Sequence, residues 1–181
     1  MKKLIYILSI VLLTFSFSAQ AEVIAKDSMS DKQGNTRSKG SYSLVKAGEN
    51  VRLSIKFNVR KSGMSGSGRG AMSFQILDDS WEPVTSFNKS LTVGADSLKG
   101  VADKDWKKNI TLTGPKAKNV IDNGITVAFI VDSNKSTIGV PTSIDGWKKA
   151  LGGIADLKSE LDKLSAGDSK NMNGWKVFKM K

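Results

Sequence analysis

The chain of 181 residues contains no cysteine and no histidine. Without cysteine the protein has no disulfide, no thiol nucleophile and no thiolate metal ligand. Without histidine it lacks the commonest general base near neutral pH and the commonest metal-binding side chain. These two absences exclude Ser-His-Asp, Cys-His and zinc-hydrolase mechanisms.

Arginine is scarce too, and it occurs only at Arg37, Arg52, Arg60 and Arg69. The formal net charge is nevertheless +11, because lysine is abundant. Lysine presents a hydrated point charge rather than the planar fork that recognises phosphate or guanine. The composition therefore predicts a diffusely cationic surface, which either attracts anionic polymers and membrane surfaces or simply favours solubility.

The N-terminus has the order of a secretory signal peptide. Lys2 and Lys3 precede an apolar run over residues 4–15, and small residues then lead to Ala19 and Ala21. A spanning helix needs about 20 apolar residues, so this run is short for a membrane span. We predict a signal peptide at residues 1–21, cleavage before Glu22 and a secreted or periplasmic location; an uncleaved N-terminal anchor is the alternative. Loss of Lys2 and Lys3 lowers the formal charge from +11 to +9.

The remaining residues 22–181 are predicted to form one all-β domain, an antiparallel β-sandwich. Residues 51–60 alternate apolar and polar side chains without interruption, which is typical of a strand with one buried and one solvated face. In contrast, residues 26–40 are polar and lack a period, and they are predicted to form a long loop. Further strands are expected at residues 23–25, 41–45, 71–77, 84–87, 90–93, 106–113, 125–131, 137–140 and 175–180.

One segment breaks the β pattern. Trp147, Leu151, Leu157 and Leu161 recur at steps that predict an amphipathic helix, interrupted at residues 152–153 by two glycines. A helical insertion at about residues 141–173 is thus expected before the last strand. Its apolar stripe is predicted to pack on a sheet, with insertion into a membrane surface as the alternative.

Three segments together resemble jelly-roll carbohydrate-binding modules of the galactose-binding-like group. They are SYSLVKAGE at residues 41–49, VRLSIKFNVR at residues 51–60 and DWKKNITLT at residues 105–113. The resemblance implies a jelly-roll-like sandwich and a glycan as ligand. The chain departs from these modules in its helical insertion of about thirty residues, and the resemblance implies no particular binding residues.

The candidate ligand-binding residues are Trp81, Asp78, Asp79 and Arg69. Trp81 lies in an acidic loop without an evident strand partner, where an exposed ring could stack on a sugar while carboxylates bind its hydroxyls. The alternative is a loop anchor buried against the sandwich. Arg69 is assigned to the tip of a glycine-rich loop at residues 63–70. This loop is predicted to be a mobile connection, and Arg69 could contact an anionic ligand from it. Trp106 is assigned to the core, Trp147 to the helix and Trp175 to the closing strand.

No catalytic, metal or cofactor site is predicted, because the acids cluster locally and no spaced calcium motif occurs. Three functions remain open. The chain is predicted to be a non-catalytic binding module for a glycan; it could instead be a cell-envelope interaction protein for anionic lipid, lipopolysaccharide or polymer, with peripheral membrane contact. A small secreted hydrolase is the third. Nucleic acid is not an expected partner of an exported chain, and the oligomeric state is open.

Overall fold

The computed structural model describes residues 21–96, 98–122 and 126–180, so the predicted signal peptide lies almost wholly outside the described residues. The described residues form two antiparallel sheets and three short helices. The first sheet, sheet A, has the order β1-β2-β3-β6. Its strands are β1 (Glu22–Gln33), β2 (Thr36–Ala47), β3 (Asn50–Ser62) and β6 (Val101–Leu112).

The second sheet packs against sheet A and is called sheet B. Its strands are β4 (Ser67–Leu77), β5 (Pro83–Gly94), β7 (Thr126–Asp132), β8 (Ser169–Met172) and β9 (Trp175–Lys179). Their order is β5-β4-β7-β9-β8. The helices are α1 (Gly114–Asp122), α2 (Ile144–Ala150) and α3 (Leu157–Asp162). The predicted all-β sandwich is confirmed, with β1, β2 and β3 pairing in chain order as a meander.

The alternation in β3 has the predicted orientation. Its apolar side chains are buried, whereas Arg52, Lys56 and Arg60 are exposed. The inner face of sheet A meets sheet B through an aromatic trio. The ring centroid of Tyr42 on β2 lies 4.9 Å from that of Phe74 on β4 and 5.4 Å from that of Phe129 on β7.

The prediction of a loop over residues 26–40 is wrong. Apart from the turn at residues 34–35, these residues belong to β1 and β2, which pair from Glu22 opposite Lys46 to Gln33 opposite Thr36 with one register shift between Val23 and Ala25. The strands lack an apolar period because β1 is an edge strand with a solvated outer face, and because small residues on β2 face the core. Backbone pairing, which needs no particular side chain, holds this hairpin together.

Other local predictions differ from the structure in smaller ways. The glycine-rich segment 63–70 is only partly a loop, since β4 begins at Ser67. A turn was predicted at residues 119–124, but residues 114–122 form α1, which buries Ala117 and Val120. Residues 137–140 form no strand, and β8 was missed within the insertion. The Asn-Gly pair at residues 123–124, on which the prediction of this turn rests, lies outside the described residues.

The helical insertion covers the outer face of sheet B, as predicted. Trp147, Leu151, Leu157 and Leu161 are buried with Trp175 in a second apolar core. Gly152 and Gly153 separate α2 from α3 with backbone φ angles of 107° and 74°, which favour glycine. The described residues therefore form three layers, which are sheet A, sheet B and the insertion with α2 and α3, whereas α1 buries Ala117 and Val120 in the core between the sheets. None of the helices within the described ranges is long and apolar enough to cross a bilayer.

Candidate functional site

Trp81 does not form an exposed platform. Its side chain is only 4% exposed, and its ring packs at 6.0 Å from the ring of Trp147. The backbone of Trp81 has a φ angle of 65°, in the left-handed region that is strained for a bulky residue. Burial of the indole offsets this strain. Trp81 is therefore the buried loop anchor that was the alternative to an exposed platform. A ligand cannot stack on this ring.

Asp78 closes the loop that carries Trp81. Its Oδ1 accepts hydrogen bonds from the backbone N–H groups of Ser80 and Glu82, both at 2.9 Å. Its carboxylate is thus engaged in shaping the turn. Asp79 is exposed, and it lines a depression of about 130 Å³ together with Asp78 and Trp81. This volume is well below the roughly 300 Å³ at which ligand pockets begin.

Arg69 lies near the opposite end of the same strand. The acidic loop follows the last residue of β4 at Leu77, whereas Arg69 is close to its first residue at Ser67. Eight residues of strand separate Arg69 from Leu77, a distance of roughly 27 Å. The structure therefore brings Asp78, Asp79 and Trp81 together and leaves Arg69 apart, so the four predicted residues do not form one site.

The outer face of sheet A offers a more extensive candidate site. The register of the sheet aligns its outward side chains in five rows, each crossing β1, β2, β3 and β6. The rows are Lys32, Arg37, Arg60 and Asp103; Ser30, Lys39, Asn58 and Asp105; Ser28, Ser41, Lys56 and Lys107; Lys26, Ser43, Ser54 and Asn109; and Val23, Val45, Arg52 and Thr111. With usual strand spacings, this basic face measures roughly 15 Å by 27 Å.

The basic face carries most of the net charge of the domain. Eight of its residues are basic and two are acidic, an excess of six positive charges. Residues 22–181 as a whole have +9. All eight basic side chains are exposed: Lys26, Lys32, Arg37, Lys39, Arg52, Lys56, Arg60 and Lys107.

The cations of this face are not neutralised by neighbouring carboxylates. Within the described part of the chain, every ion pair closer than 4.0 Å involves a lysine elsewhere. Glu160 on α3, for example, binds Lys163 and Lys170, which lowers the pKa of its carboxyl group through these two hydrogen bonds. Ion pairs thus occur in and around the helical layer, and none of those found among the described residues involves a cation of the basic face.

Several cations lie directly opposite one another. Arg37 on β2 is the cross-strand partner of both Lys32 and Arg60, and Lys56 is the partner of Lys107. Like charges in such positions destabilise a sheet by about 0.2–1 kcal/mol per pair. An arrangement that opposes folding is expected where the charges serve an external ligand.

Between the cations lies a shallow depression of about 460 Å³, a volume within the usual range of ligand sites. Arg52 and Lys56 border it, and short polar side chains form much of its lining. The lining residues are Ser41, Tyr42, Ser43, Val45, Arg52, Ser54 and Lys56. Hydroxyl groups can donate and accept hydrogen bonds, and the ammonium and guanidinium groups can bind anionic groups.

A larger cavity of about 620 Å³ lies at the end of the sandwich, between the β2–β3 turn and α1. Lys46 and Lys118 line it together with Glu49 and Asp122. Opposite charges are mixed there in equal number, so the cavity selects no ligand charge. The basic face is consequently the stronger candidate.

Sequence reasoning found only part of this face. The exposed positions Arg52, Lys56 and Arg60 were correctly predicted on β3, but the outward residues of β1 were placed in a loop. The missed signal was the outward row from Lys26 to Lys32, which continues through two serines. The inward positions between them are Asp27, Met29 and Asp31, so the apolar period that marks a strand is interrupted. No family model matches this chain, and no curated protein shows significant similarity to it.

Proposed function

We propose that this protein is an exported, non-catalytic binding protein for an anionic polysaccharide, which lies across the basic face of sheet A. The observation that carries this function is the net excess of six positive charges on one solvated sheet face, whose eight cations occur in none of the ion pairs found among the described residues. A flat face about 27 Å long accommodates several sugar units of an extended chain. The predicted signal peptide places the protein where such polymers occur.

The composition of the face favours a glycan over a purely electrostatic partner. Eight of its outward residues are serine, asparagine or threonine, interleaved with the cations. Their short side chains can hydrogen-bond sugar hydroxyls, while lysine and arginine bind carboxylate or sulfate groups. No aromatic residue occurs in the five rows, so binding is attributed to charge and hydrogen bonds rather than to stacking.

The test compares two charge-matched double variants. Arg52→Ser/Lys56→Ser removes two cations bordering the depression, and Lys149→Ser/Lys158→Ser removes two exposed lysines from the helical layer. Isothermal titration uses polygalacturonate, dextran sulfate and neutral dextran. The first variant should bind the acidic polymers about tenfold or more weakly, because two charge-assisted contacts are lost. The second should bind like the wild type.

Neutral dextran should show little binding to any of these proteins. If both double variants bound the acidic polymers with equal affinity, binding would depend on the net charge of the protein and not on the cations of the basic face. Absence of binding to either acidic polymer would reject the function itself.

A further inference from the structure

Three loops meet at one end of the sandwich and are joined by backbone hydrogen bonds. The N–H of Gly63 in the β3–β4 loop donates to the carbonyl of Gly100 in the β5–β6 loop at 2.7 Å. The N–H of Ala95 donates back to the carbonyl of Gly66 at 2.9 Å. Ser62 also connects to Asn35 in the β1–β2 turn. We call residues 34–35, 63–66, 95–96 and 98–100 the loop end.

Two large apolar side chains project from the loop end. Met64 is 72% exposed, and Leu98 is 95% exposed. They lie between the hydrogen-bonded pairs of the two facing loops, so the same contacts hold both of them at this end. An isolated exposed leucine is ordinary in a protein surface. Met64 and Leu98, in contrast, lie on adjoining loops and are the two most exposed large apolar residues of the described chain. We call this pair the apolar tip.

The loop around Leu98 is preorganised. The Oδ1 atom of Asp96 accepts hydrogen bonds from the N–H groups of Leu98 at 3.0 Å and Lys99 at 3.1 Å. The N–H of Gly100 donates to the Asp96 carbonyl at 2.9 Å. The aspartate thus holds a tight turn that directs Leu98 away from the core, although folding gains little from an apolar group left in water.

The apolar tip is surrounded by positive charge. Five exposed basic residues belong to the loop end or lie within three residues of it in the sequence. They are Lys32, Arg37, Arg60, Arg69 and Lys99. The nearby acids are partly engaged, since Asp96 binds the loop backbone and Asp31 accepts the N–H of Ser133 at 2.6 Å. Asp103 is the exposed acid of this end. The balance of charge is complementary to an anionic surface.

We propose that the loop end docks on an anionic lipid bilayer, with Met64 and Leu98 inserted at the level of the headgroups and the five cations against lipid phosphates. Peripheral binding to membranes commonly needs two contributions, one apolar and one electrostatic, and the loop end supplies both. A projecting apolar tip fits a deformable lipid interface. This surface shares Lys32, Arg37 and Arg60 with the end row of the basic face. Its apolar residues Met64 and Leu98 lie outside that face and outside the depression that Arg52 and Lys56 border.

The first experiment measures partition to vesicles. Protein without residues 1–21 is used, because the apolar run at residues 4–15 would itself bind lipid, and both apolar cores lie within residues 22–180. Met64→Ser/Leu98→Ser is compared with Ile144→Ser, which removes an exposed apolar residue of the helical layer. Vesicles contain either phosphatidylcholine alone or phosphatidylcholine with phosphatidylglycerol.

The wild type and Ile144→Ser should bind the anionic vesicles and should bind the neutral vesicles only weakly. Met64→Ser/Leu98→Ser should lose about tenfold or more in partition while keeping its melting temperature, since both side chains are exposed. Equal partition of the double variant and the wild type would overturn the proposal, as would absence of wild-type binding to anionic vesicles.

A second experiment locates the contact. Because the chain has no cysteine, Leu98→Cys and Ile144→Cys each provide one labelling position for a polarity-sensitive fluorophore. On anionic vesicles the emission at position 98 should shift to the blue, and that at position 144 should not. An unshifted label at 98, or an equal shift at both positions, would contradict insertion of the loop end. Titration with polygalacturonate in the absence of lipid tests the polysaccharide function separately.

Discussion

The indole rings of Trp81 and Trp147 lie 6.0 Å apart, centroid to centroid, and are inclined by 54°. Trp147 in turn packs edge to face on Trp175, with centroids 5.0 Å apart. The three tryptophans therefore connect the acidic loop, α2 and β9 into one apolar layer. In this setting a tryptophan of the acidic loop stabilises the fold and is closed to ligands.

Trp81→Ala should accordingly lower the free energy of unfolding by about 3–5 kcal/mol, the usual effect of deleting a buried large aromatic side chain. Urea unfolding measures this change. The neighbouring Asp79→Ala, at an exposed position, should stay within about 0.5 kcal/mol of the wild type. Unchanged stability of Trp81→Ala together with weakened glycan binding would restore the platform hypothesis.

The close approach of the two sheets near the loop end makes a second prediction. A Cβ atom added at Gly70 would lie 2.1 Å from Oγ of Ser38 and 2.7 Å from Cγ2 of Val59. Gly70→Ala should destabilise the protein by about 1–3 kcal/mol through overpacking. Gly94→Ala is the matched control, because no atom lies within 4 Å of its added Cβ. Thermal unfolding that ranks Gly94→Ala below Gly70→Ala would contradict this packing.

The helical layer provides a third prediction. Leu157 and Leu161 are 1% and 5% exposed, so replacing either with serine should cost at least the roughly 2–5 kcal/mol of a leucine-to-alanine change in a core. Lys158→Ser on the same helix faces solvent and should change stability by less than about 0.5 kcal/mol. Chemical denaturation of the three variants makes the comparison. Similar stability of all three would mean that α3 does not pack on sheet B.

Tyr42 should make the stability of the fold decrease with rising pH in the alkaline range. Burial raises the pKa of its phenol, and the negative charge of Asp27 raises it further. The folded state therefore favours the neutral phenol, and this contribution is complete below the unfolded pKa of about 10 and is lost as the pH rises above it. The loss approaches about 1.4 kcal/mol for each pH unit between the unfolded and folded pKa values.

Tyr42→Phe removes this ionisation and keeps the ring. The variant should lose less stability than the wild type between pH 10 and pH 11.5 (roughly one to two kcal/mol less). Denaturant unfolding at several pH values gives the two slopes. Parallel slopes for the two proteins would show that the Tyr42 phenol ionises equally in the folded and unfolded states.

The basic face predicts a steep dependence of polysaccharide binding on salt. Each cation that neutralises a polymer charge releases a counterion, so the logarithm of affinity should fall linearly with the logarithm of salt concentration. By analogy with phosphate contacts in nucleic acids, Arg52→Ser/Lys56→Ser should reduce the slope by about two. The slope of Lys149→Ser/Lys158→Ser should equal that of the wild type. A slope near zero for the wild type would exclude charge as the main source of affinity.

The strong apolar periodicities of the sequence were sufficient to predict some of the strands and helices. Uninterrupted alternation around Phe57 predicted a half-buried strand with its correct inner face, and the spacing of Trp147 and Leu157 predicted the broken helical layer. Burial of apolar groups dominates local structure where the pattern is this regular, so one segment carries enough information. The absence of cysteine and histidine likewise excluded whole classes of chemistry without reference to the fold.

Tertiary structure alone decided the positions that depend on pairing. Lys32 and Arg60 are distant in sequence, and only the register of β1, β2 and β3 places them in one row with Arg37. Only residues 23–25 of β1 were predicted as a strand, because the rest of β1 is stabilised by backbone hydrogen bonds to β2 and has no apolar period. Trp81 illustrates the same limit. Whether its ring is exposed was settled by Trp147, a residue of another layer, because burial is a property of what packs on a side chain and not of its neighbours in the chain.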